Sequence, residues 1–263
     1  MFDMVRKSND MVESVVFGRN PVLEALERGA TSIDKVYVQK GGSGEFFAAV
    51  RRAAAERGVP VQYVPKDRLQ KLAGKVNHQG VVALRAEVGY QDIHELLAGL
   101  PSDTAELATR KPLFVYLDRV TDPHNFGAVV RSAAAFGCNA VLVPSSGSAP
   151  LNGVTVKASA GMALRIPICR IEKPELMMEE FKERGYWIVG ADGAGEGRPT
   201  TIEWTRPTIL LVGSEGGGLS PRLSAACDDL VSIPIVEGVD SLNVSVATAI
   251  LLYEASKPRI GTS

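Results

Sequence analysis

Residues 210–219 carry the sequence LLVGSEGGGL, an apolar run that ends in a glycine-rich turn. A short apolar run of this kind is typical of a buried strand in a parallel sheet. Glycines directly after such a strand allow positive φ angles and a close approach of the backbone to a ligand. The spacing is neither the GxGxxG of a dinucleotide site nor the GxSxG of a nucleophile elbow. It therefore predicts a ligand-binding turn and disfavours an NAD-dependent oxidoreductase.

A second segment of the same kind lies upstream, where residues 118–131 carry the sequence DRVTDPHNFGAVVR after an apolar strand. The Asp122-Pro123 turn predicts a helix that begins near Asn125. By itself, this pattern is explained by Asn125 as a helix N-cap and Arg131 as a solvated helix residue. On one helix the two residues lie about 240° apart and about 9 Å along the axis, so they do not form one patch. A shared substrate would need a further element, and a partner subunit would suffice.

A third segment, residues 233–247, has the sequence IPIVEGVDSLNVSVA. It predicts the end of a strand, a loop and an N-capped helix near residues 244–255. The small side chains of Ser245, Ala247 and Ala249 would allow this helix to pack closely against a neighbour.

Strand and helix patterns alternate along the whole chain. The C-terminal part is predicted to contain five nearly continuous apolar strands and four helices, which indicates an α/β fold with a parallel sheet covered on both faces. The front part predicts a small α/β sandwich of about 70 residues. We therefore expect a domain at 14–85, a linker at 86–111 with a short helix near 93–97, and a second domain at 112–258.

Composition excludes several classes of protein. A hydrophobic content of 45% and a charged content of 22% are typical of a soluble globular protein, and no apolar run has the length of a membrane span. The three cysteines and three histidines are scattered, so neither a disulfide framework nor a metal site is predicted. Residues 1–85 hold 14 Lys and Arg against 9 Asp and Glu, a net charge of +5, whereas the rest carries −6. This asymmetry indicates that the front part contacts phosphates, although a solvated helix face would also explain it.

The three segments resemble, in order and spacing, the three motifs of the SpoU (TrmH-like) family of RNA 2′-O-methyltransferases. The resemblance implies S-adenosylmethionine as methyl donor and a trefoil-knotted parallel-sheet domain (the SPOUT or α/β knot) assembled as a homodimer. The scattered cysteines fit a reducing cytoplasm, and we expect no metal. The resemblance also implies a set of active-site residues and a set of cofactor-binding residues. The first set is Asn125, Arg131, Glu215, Ser241 and Asn243, and the second is Gly213, Ile233 and Leu242.

The front domain resembles the substrate-binding domain of many SpoU proteins, which is similar to small ribosomal RNA-binding proteins. The segments that carry this likeness are 17–26 and 78–83. This front domain most resembles the one found on SpoU enzymes that methylate a guanosine of large-subunit (23S) ribosomal RNA, which implies that substrate. A transfer-RNA guanosine is the alternative, and a ribosomal adenosine methylated for antibiotic resistance is the third. A non-catalytic RNA-binding module is a further alternative. One position departs from the family pattern, because Leu164 stands where close relatives usually carry a glutamate.

Overall fold

The computed structural model describes residues 15–27, 33–74, 76–85, 89–214 and 216–260. The chain divides into two compact units. The N-terminal unit comprises Met1–Gly89 together with Pro150–Gly153, and the C-terminal unit comprises Tyr90–Ala149 and Val154–Ser263. The predicted domain bounds remain a prediction.

The N-terminal unit is a four-stranded sheet with helices on both faces. Its strand order is β1-β4-β2-β3, with β2 and β3 parallel and the other pairs antiparallel. Successive side chains of β2 point to opposite faces of the sheet. Val36 and Val38 pack with α1 and α2 on one face, and Tyr37 packs with α3 on the other. The strands are β1 Val15–Phe17, β2 Ile33–Gln39, β3 Val61–Val64 and β4 Val81–Arg85; the helices are α1 Arg19–Glu27, α2 Glu45–Ala55 and α3 Lys66–Ala73.

The C-terminal unit is built on a six-stranded sheet in the order β10-β8-β9-β5-β6-β7, and every neighbouring pair is parallel. All residues of β5, β6 and β9 are buried, as the continuous apolar runs predict. The strands are β5 Leu113–Leu117, β6 Ala140–Pro144, β7 Ile168–Ile171, β8 Trp187–Ala191, β9 Thr208–Val212 and β10 Asp229–Val231. The helices are α4 Ile93–Ala98, α5 Thr104–Arg110, α6 Pro123–Ala135, α7 Gly153–Ala158, α8 Pro174–Glu183, α9 Pro221–Ala226 and α10 Val244–Ser256, with a 3₁₀ turn at Met162–Leu164.

The sequence patterns placed most of these elements correctly, and they missed four. Strands β1 and β7 are short edge strands, and α5 and α7 are helices of seven and six residues. The start of α6 was also predicted too late. The helix begins at Pro123, because the Asp122 side chain accepts a hydrogen bond from the His124 amide and is the N-cap. Asn125 is therefore inside the helix and is not its cap.

The chain returns from the edge of the sheet to its centre in the last segment. Strand β10 lies at the edge, whereas α10 packs against α6, the helix that follows the central strand β5. This is the path that the predicted knot requires. Beyond α10, Arg259 donates hydrogen bonds to the carbonyl oxygens of Lys111 and Arg206, and burial lowers the pKa of its guanidinium to about 10. None of the helices described is both long and apolar enough to cross a membrane.

Candidate active site

The candidate site lies at the carboxyl ends of β5 and β9, which are neighbours in the sheet. Asp118 follows β5, and its amide donates to the carbonyl oxygen of Val212 at the end of β9 over 2.8 Å. Its carboxylate is 4% exposed and accepts a 2.7 Å hydrogen bond from the Ser220 amide. A buried carboxylate that accepts a backbone N–H forms a strong, charge-assisted hydrogen bond. Asp118 thus joins the segment after β5 to the segment after β9.

Arg119 strengthens the same junction. Its backbone has a φ of +58°, a conformation that non-glycine residues rarely adopt. The guanidinium contacts the Asp118 carboxylate at 3.2 Å and donates to the Gly218 carbonyl oxygen at 3.2 Å. The side chain is nevertheless 47% exposed. Arg119 therefore positions the glycine-rich loop and also presents a positive charge to solvent.

The glycine-rich loop closes on itself at Gly213. Ser214 and Gly218 exchange two backbone hydrogen bonds of 3.1 and 3.0 Å. A Cβ atom on Gly213 would lie 1.9 Å from the carbonyl carbon of Gly218, which leaves no space for any side chain. Gly216 and Gly218 adopt φ angles of +77° and +58°. Glycine at 213 is thus required by the closure of the loop itself.

A hydrogen bond between two asparagines joins the segments at 118–131 and 233–247. The Asn243 amide nitrogen donates to the Asn125 side-chain oxygen over 3.1 Å. Asn243 is also the N-cap of α10, because its side-chain oxygen accepts from the Ser245 amide at 2.9 Å and the Val246 amide at 3.4 Å. The cap fixes the orientation of the amide and so aims its NH₂ group at α6.

The loop between β10 and α10 has backbone groups near both of its ends that form no hydrogen bond within the described part of the chain. No described hydrogen bond involves the backbone of Ile233 or Leu242, and both side chains are half-buried. Paired donors and acceptors on apolar, half-buried residues are suited to the edge of a purine base. Ser241 lies beside them and is exposed.

Arg131, a predicted site residue, forms no described hydrogen bond with the asparagine pair. Arg131 is exposed on α6, and no described residue forms an ion pair with it. Glu215 lies outside the described residues. Sequence reasoning also missed Asp118 and Arg119. A polar pair directly after a fully apolar strand, at the same sheet edge as the glycine-rich loop, was the signal that could have identified them.

Among the described residues, no group of three or more His, Cys, Asp or Glu side chains could hold a metal ion. The Asp118 carboxylate at the junction of β5 and β9 also affects the pKa of Tyr116. Burial, with a further contribution from the Asp118 carboxylate, raises the pKa of its hydroxyl above the ordinary value. Tyr116 is therefore a neutral core residue beneath the site.

Comparison with known proteins identifies both halves of the chain. Residues 112–253 match the SpoU rRNA Methylase family, and residues 15–91 match the RNA 2′-O ribose methyltransferase substrate-binding family. A Mycobacterium ulcerans protein named as an uncharacterized tRNA/rRNA methyltransferase is 37% identical over 97% of this chain and 80% of its own length. A Staphylococcus haemolyticus protein named as a putative TrmH family tRNA/rRNA methyltransferase is 35% identical over 95% and 97%.

Solved structures give the same result. The SpoU methyltransferase AviRb from Streptomyces viridochromogenes, in complex with the cofactor AdoMet, aligns with a TM-score of 0.58 and 26% identity over 94% of this chain and 90% of AviRb. An AdoMet-bound rRNA methyltransferase from Sinorhizobium meliloti aligns with a TM-score of 0.56 and 27% identity over 92% and 86%. The predicted fold class is confirmed, and the chain belongs to the SpoU family of RNA methyltransferases.

Proposed function

We propose that this protein transfers a methyl group from S-adenosylmethionine to a ribose 2′-hydroxyl of RNA. The observation that carries the proposal is the Asn125–Asn243 hydrogen bond of 3.1 Å, which joins two separate sequence motifs beside the carboxyl ends of the sheet. Ligands of open parallel sheets bind at those ends. Relatives with AdoMet bound, at 26% and 27% identity over almost the whole chain, support the choice of cofactor.

The residues present fit the cofactor. Ile233 and Leu242 offer backbone donors and acceptors that no hydrogen bond of the described residues uses, on apolar, half-buried residues, which suits an adenine ring. Gly213 contributes by keeping the glycine-rich loop closed and so shaping one wall. The cofactor supplies an electrophilic methyl group on a sulfonium, and we propose no role for a metal.

In the proposed reaction, the 2′-oxygen attacks the methyl carbon, the carbon–sulfur bond breaks, and the 2′-hydroxyl proton leaves to an acceptor. Arg131 is a poor acceptor, because a guanidinium stays protonated and has no free lone pair. We propose that Arg131 clamps the target phosphate, which assists removal of the proton, and that Asn125, Ser241, Glu215 and Asn243 orient the ribose and the methyl donor. Positioning two reactants in this way supplies several kcal/mol, on the order of 7 or more when the geometry is favourable.

A second copy of the chain would complete this site. Arg131 and Asn125 lie on different sides of α6, so one copy does not bring both to one ribose. Helix α10 is apolar on both sides: Leu251 and Leu252 are fully buried, whereas Val246 and Tyr253 are 48% and 53% exposed. An exposed apolar helix face is suited to burial in a homodimer interface.

The dimer is tested by sedimentation velocity on the wild type and a Tyr253→Asp variant. We expect a dimer for the wild type and a folded monomer without methyl transfer for the variant, because a charge replaces a central apolar contact. A Glu254→Asp variant on the same helix serves as the control and should remain dimeric. An active monomer would contradict the two-copy site.

For the substrate, we propose a guanosine in 23S ribosomal RNA, methylated in the cytoplasm. The match of residues 15–91 to a substrate-binding domain and the net charge of +5 over residues 1–85 support an RNA-docking front unit. A transfer-RNA guanosine is the alternative, since relatives are named for both RNA types.

The deciding experiment uses methyl-labelled S-adenosylmethionine with ribosomal and transfer RNA from cells that lack the protein. We expect label in large-subunit RNA, recovered as 2′-O-methylguanosine after digestion. Label in transfer RNA alone would keep the chemistry and replace the substrate. Binding of S-adenosylmethionine without transfer to either RNA would favour a non-catalytic RNA-binding module.

A further inference from the structure

The N-terminal unit contains a cavity of about 680 Å³ between the N-terminus of α1, the end of β2, the start of α3 and the loop before β4. Small-ligand sites typically enclose about 300–1,000 Å³. The cavity is therefore large enough for one nucleotide, and an RNA duplex cannot enter it. None of the residues assigned to methyl transfer lines it.

The charge of the lining favours an anion. Arg19, Lys40 and Lys66 line the cavity, and no carboxylate does so among the described residues. All three cationic side chains are exposed, and none forms an ion pair with a described residue. Three uncompensated positive charges around one concavity attract a phosphate group, and a low-dielectric wall strengthens that attraction.

The ring of Phe47 lies beneath the floor of the cavity and is only 5% exposed, because two glycines pack closely against its edge. A Cβ atom on Gly42 would lie 3.0 Å from the ring, and one on Gly80 would lie 3.3 Å from it. The Arg19 guanidinium lies 5.5 Å from the centre of the same ring. Arg19 itself is exposed, and a guanidinium plane beside an aromatic ring is a surface on which unstacked RNA bases stack.

Polar groups of the loop before β4 are held in place around this floor. The His78 Nδ1 atom accepts a 3.1 Å hydrogen bond from the Gly80 amide, so the neutral ring carries its proton on Nε2. Burial, with a contribution from the positive charge of Lys66, keeps the pKa of His78 below its ordinary value. Gln79 adopts a φ of +52° and its side-chain oxygen accepts from the Arg19 amide at 3.0 Å. A strained residue fixed by its own side chain is typical of a ligand site.

We propose that this cavity binds one unstacked nucleotide of the RNA substrate. Lys40 and Lys66 hold its phosphate, and the base stacks on the exposed guanidinium plane of Arg19. The amide side chains of Asn77 and Gln70, both of which line the cavity, contact the edge of the base. The proposal rests on RNA being the substrate, and it assigns the front unit the task of selecting RNA that carries a bulged or looped nucleotide.

The test measures binding of the full chain to two fluorescent RNA hairpins that differ only by one bulged nucleotide. We expect the bulged hairpin to bind about tenfold more tightly, since stacking of one base on a guanidinium plane together with its phosphate contacts has an effect of about that order. Lys66→Glu and Lys40→Glu should each remove this preference and make the salt dependence of binding shallower by about one unit of slope.

Lys71→Glu is the matched control. Lys71 is exposed on the same helix as Lys66 and undergoes the same charge change, but it does not line the cavity. It should retain the preference for the bulged hairpin. Since all three lysines are exposed, we expect none of the substitutions to unfold the protein, and circular dichroism checks this. Equal binding of both hairpins by the wild type, or equal loss in the Lys66 and Lys71 variants, would overturn the proposal.

Three further outcomes separate this proposal from the proposed activity and from a free ligand. Methyl transfer to cellular RNA without any preference for the bulge would leave the activity intact and overturn the nucleotide site. A preference that depends on Lys66, in protein that transfers no methyl group, would support the site while the activity failed. Displacement of the hairpin by free nucleoside monophosphates at its own concentration would reassign the cavity to a free nucleotide.

Discussion

The two loops beside the candidate site are built in opposite ways. Residues 213–219, the closed loop, contain two backbone hydrogen bonds between Ser214 and Gly218. The Arg119 side chain donates a further hydrogen bond to the Gly218 carbonyl oxygen. Residues 233–243, the open segment, contain one described backbone hydrogen bond, from the Val239 amide to the Val236 carbonyl at 3.3 Å. Val236 is 74% exposed. The closed loop is therefore a wall of the site that forms when the protein folds. We expect the open segment, the other wall, to become ordered when a ligand or partner binds.

This difference predicts which substitutions lower the free energy of unfolding. Changes in the closed loop should lower the stability of the folded protein, because they disturb contacts that exist without ligand. Changes in the open segment should leave stability unchanged and affect binding. The following substitutions are ordered from the largest expected effect on stability to the smallest.

Gly213→Ala should have the largest effect. The new Cβ atom would overlap the Gly218 backbone at 1.9 Å, so the loop must open. We expect a loss of about 3 kcal/mol in the free energy of unfolding and a Tm lowered by about 6–12 °C. Thermal unfolding followed by circular dichroism measures this. Gly217→Ala is the control and should cost much less, since its Cβ would meet only the movable Ser214 hydroxyl at 3.0 Å. Equal Tm values for the two variants would refute the closed-loop description.

Asp118→Ala should have the next largest effect, because it leaves the Ser220 amide without its buried acceptor. Loss of a hydrogen bond to a charged group costs about 1.5–3 kcal/mol. Asp122→Ala, which removes the N-cap of α6, should cost about 1 kcal/mol. Urea unfolding of both variants gives the two values. If Asp122→Ala were the more damaging change, the junction between β5 and β9 would not be the main anchor of the loop.

The sequence predicted the sheet well because its strands are buried on both faces. Strands β5 and β9 lie at the predicted residues 113–117 and 208–212, where continuous apolar runs end at polar or glycine residues. Strand β7, Ile168–Ile171, was missed because it is a four-residue edge strand that includes an arginine. Helix α5 was missed because Gly99 and Pro101 near its start resembled a linker.

The site was predictable only in part. Asn125 and Asn243 were identified from their motifs, but their mutual hydrogen bond depends on α10 returning to pack against α6, a contact between residues 118 positions apart. No local pattern encodes such a contact. The roles of Asp118 and Arg119 depend likewise on the pairing of β5 with β9. The predicted catalytic and cofactor-binding roles of all the site residues, Asn125 and Asn243 included, remain predictions.

The asparagine pair should respond with a small loss of stability and a larger loss of activity. Asn125→Ala removes the hydrogen bond to Asn243, and Asn243→Ser removes the same hydrogen bond while keeping a good N-cap for α10. We expect each variant to unfold within about 1 kcal/mol of the wild type and to transfer methyl groups about tenfold more slowly, which corresponds to one lost hydrogen bond.

A double-mutant cycle is the control for this pair. If the two asparagines act as one unit, the Asn125→Ala, Asn243→Ser double variant should be no slower than either single variant. Rates that multiply would mean that the two side chains contact the substrate independently. Single-turnover assays with saturating cofactor separate the transfer step from cofactor binding.

The smallest expected change in stability is for Val236→Ser in the open segment, within about 0.5 kcal/mol of the wild type, because its side chain is 74% exposed. The openness itself is measured by digestion with a glutamyl endopeptidase. Cleavage after Glu237 should slow as S-adenosylmethionine is added, since bound ligand orders the segment and lowers the population of cleavable conformations. Cleavage after Glu203, an exposed residue in a different loop, should keep its rate. If the cofactor slowed both cleavages equally, it would stabilise the protein as a whole, and the contrast between a preformed wall and a ligand-ordered wall would be wrong.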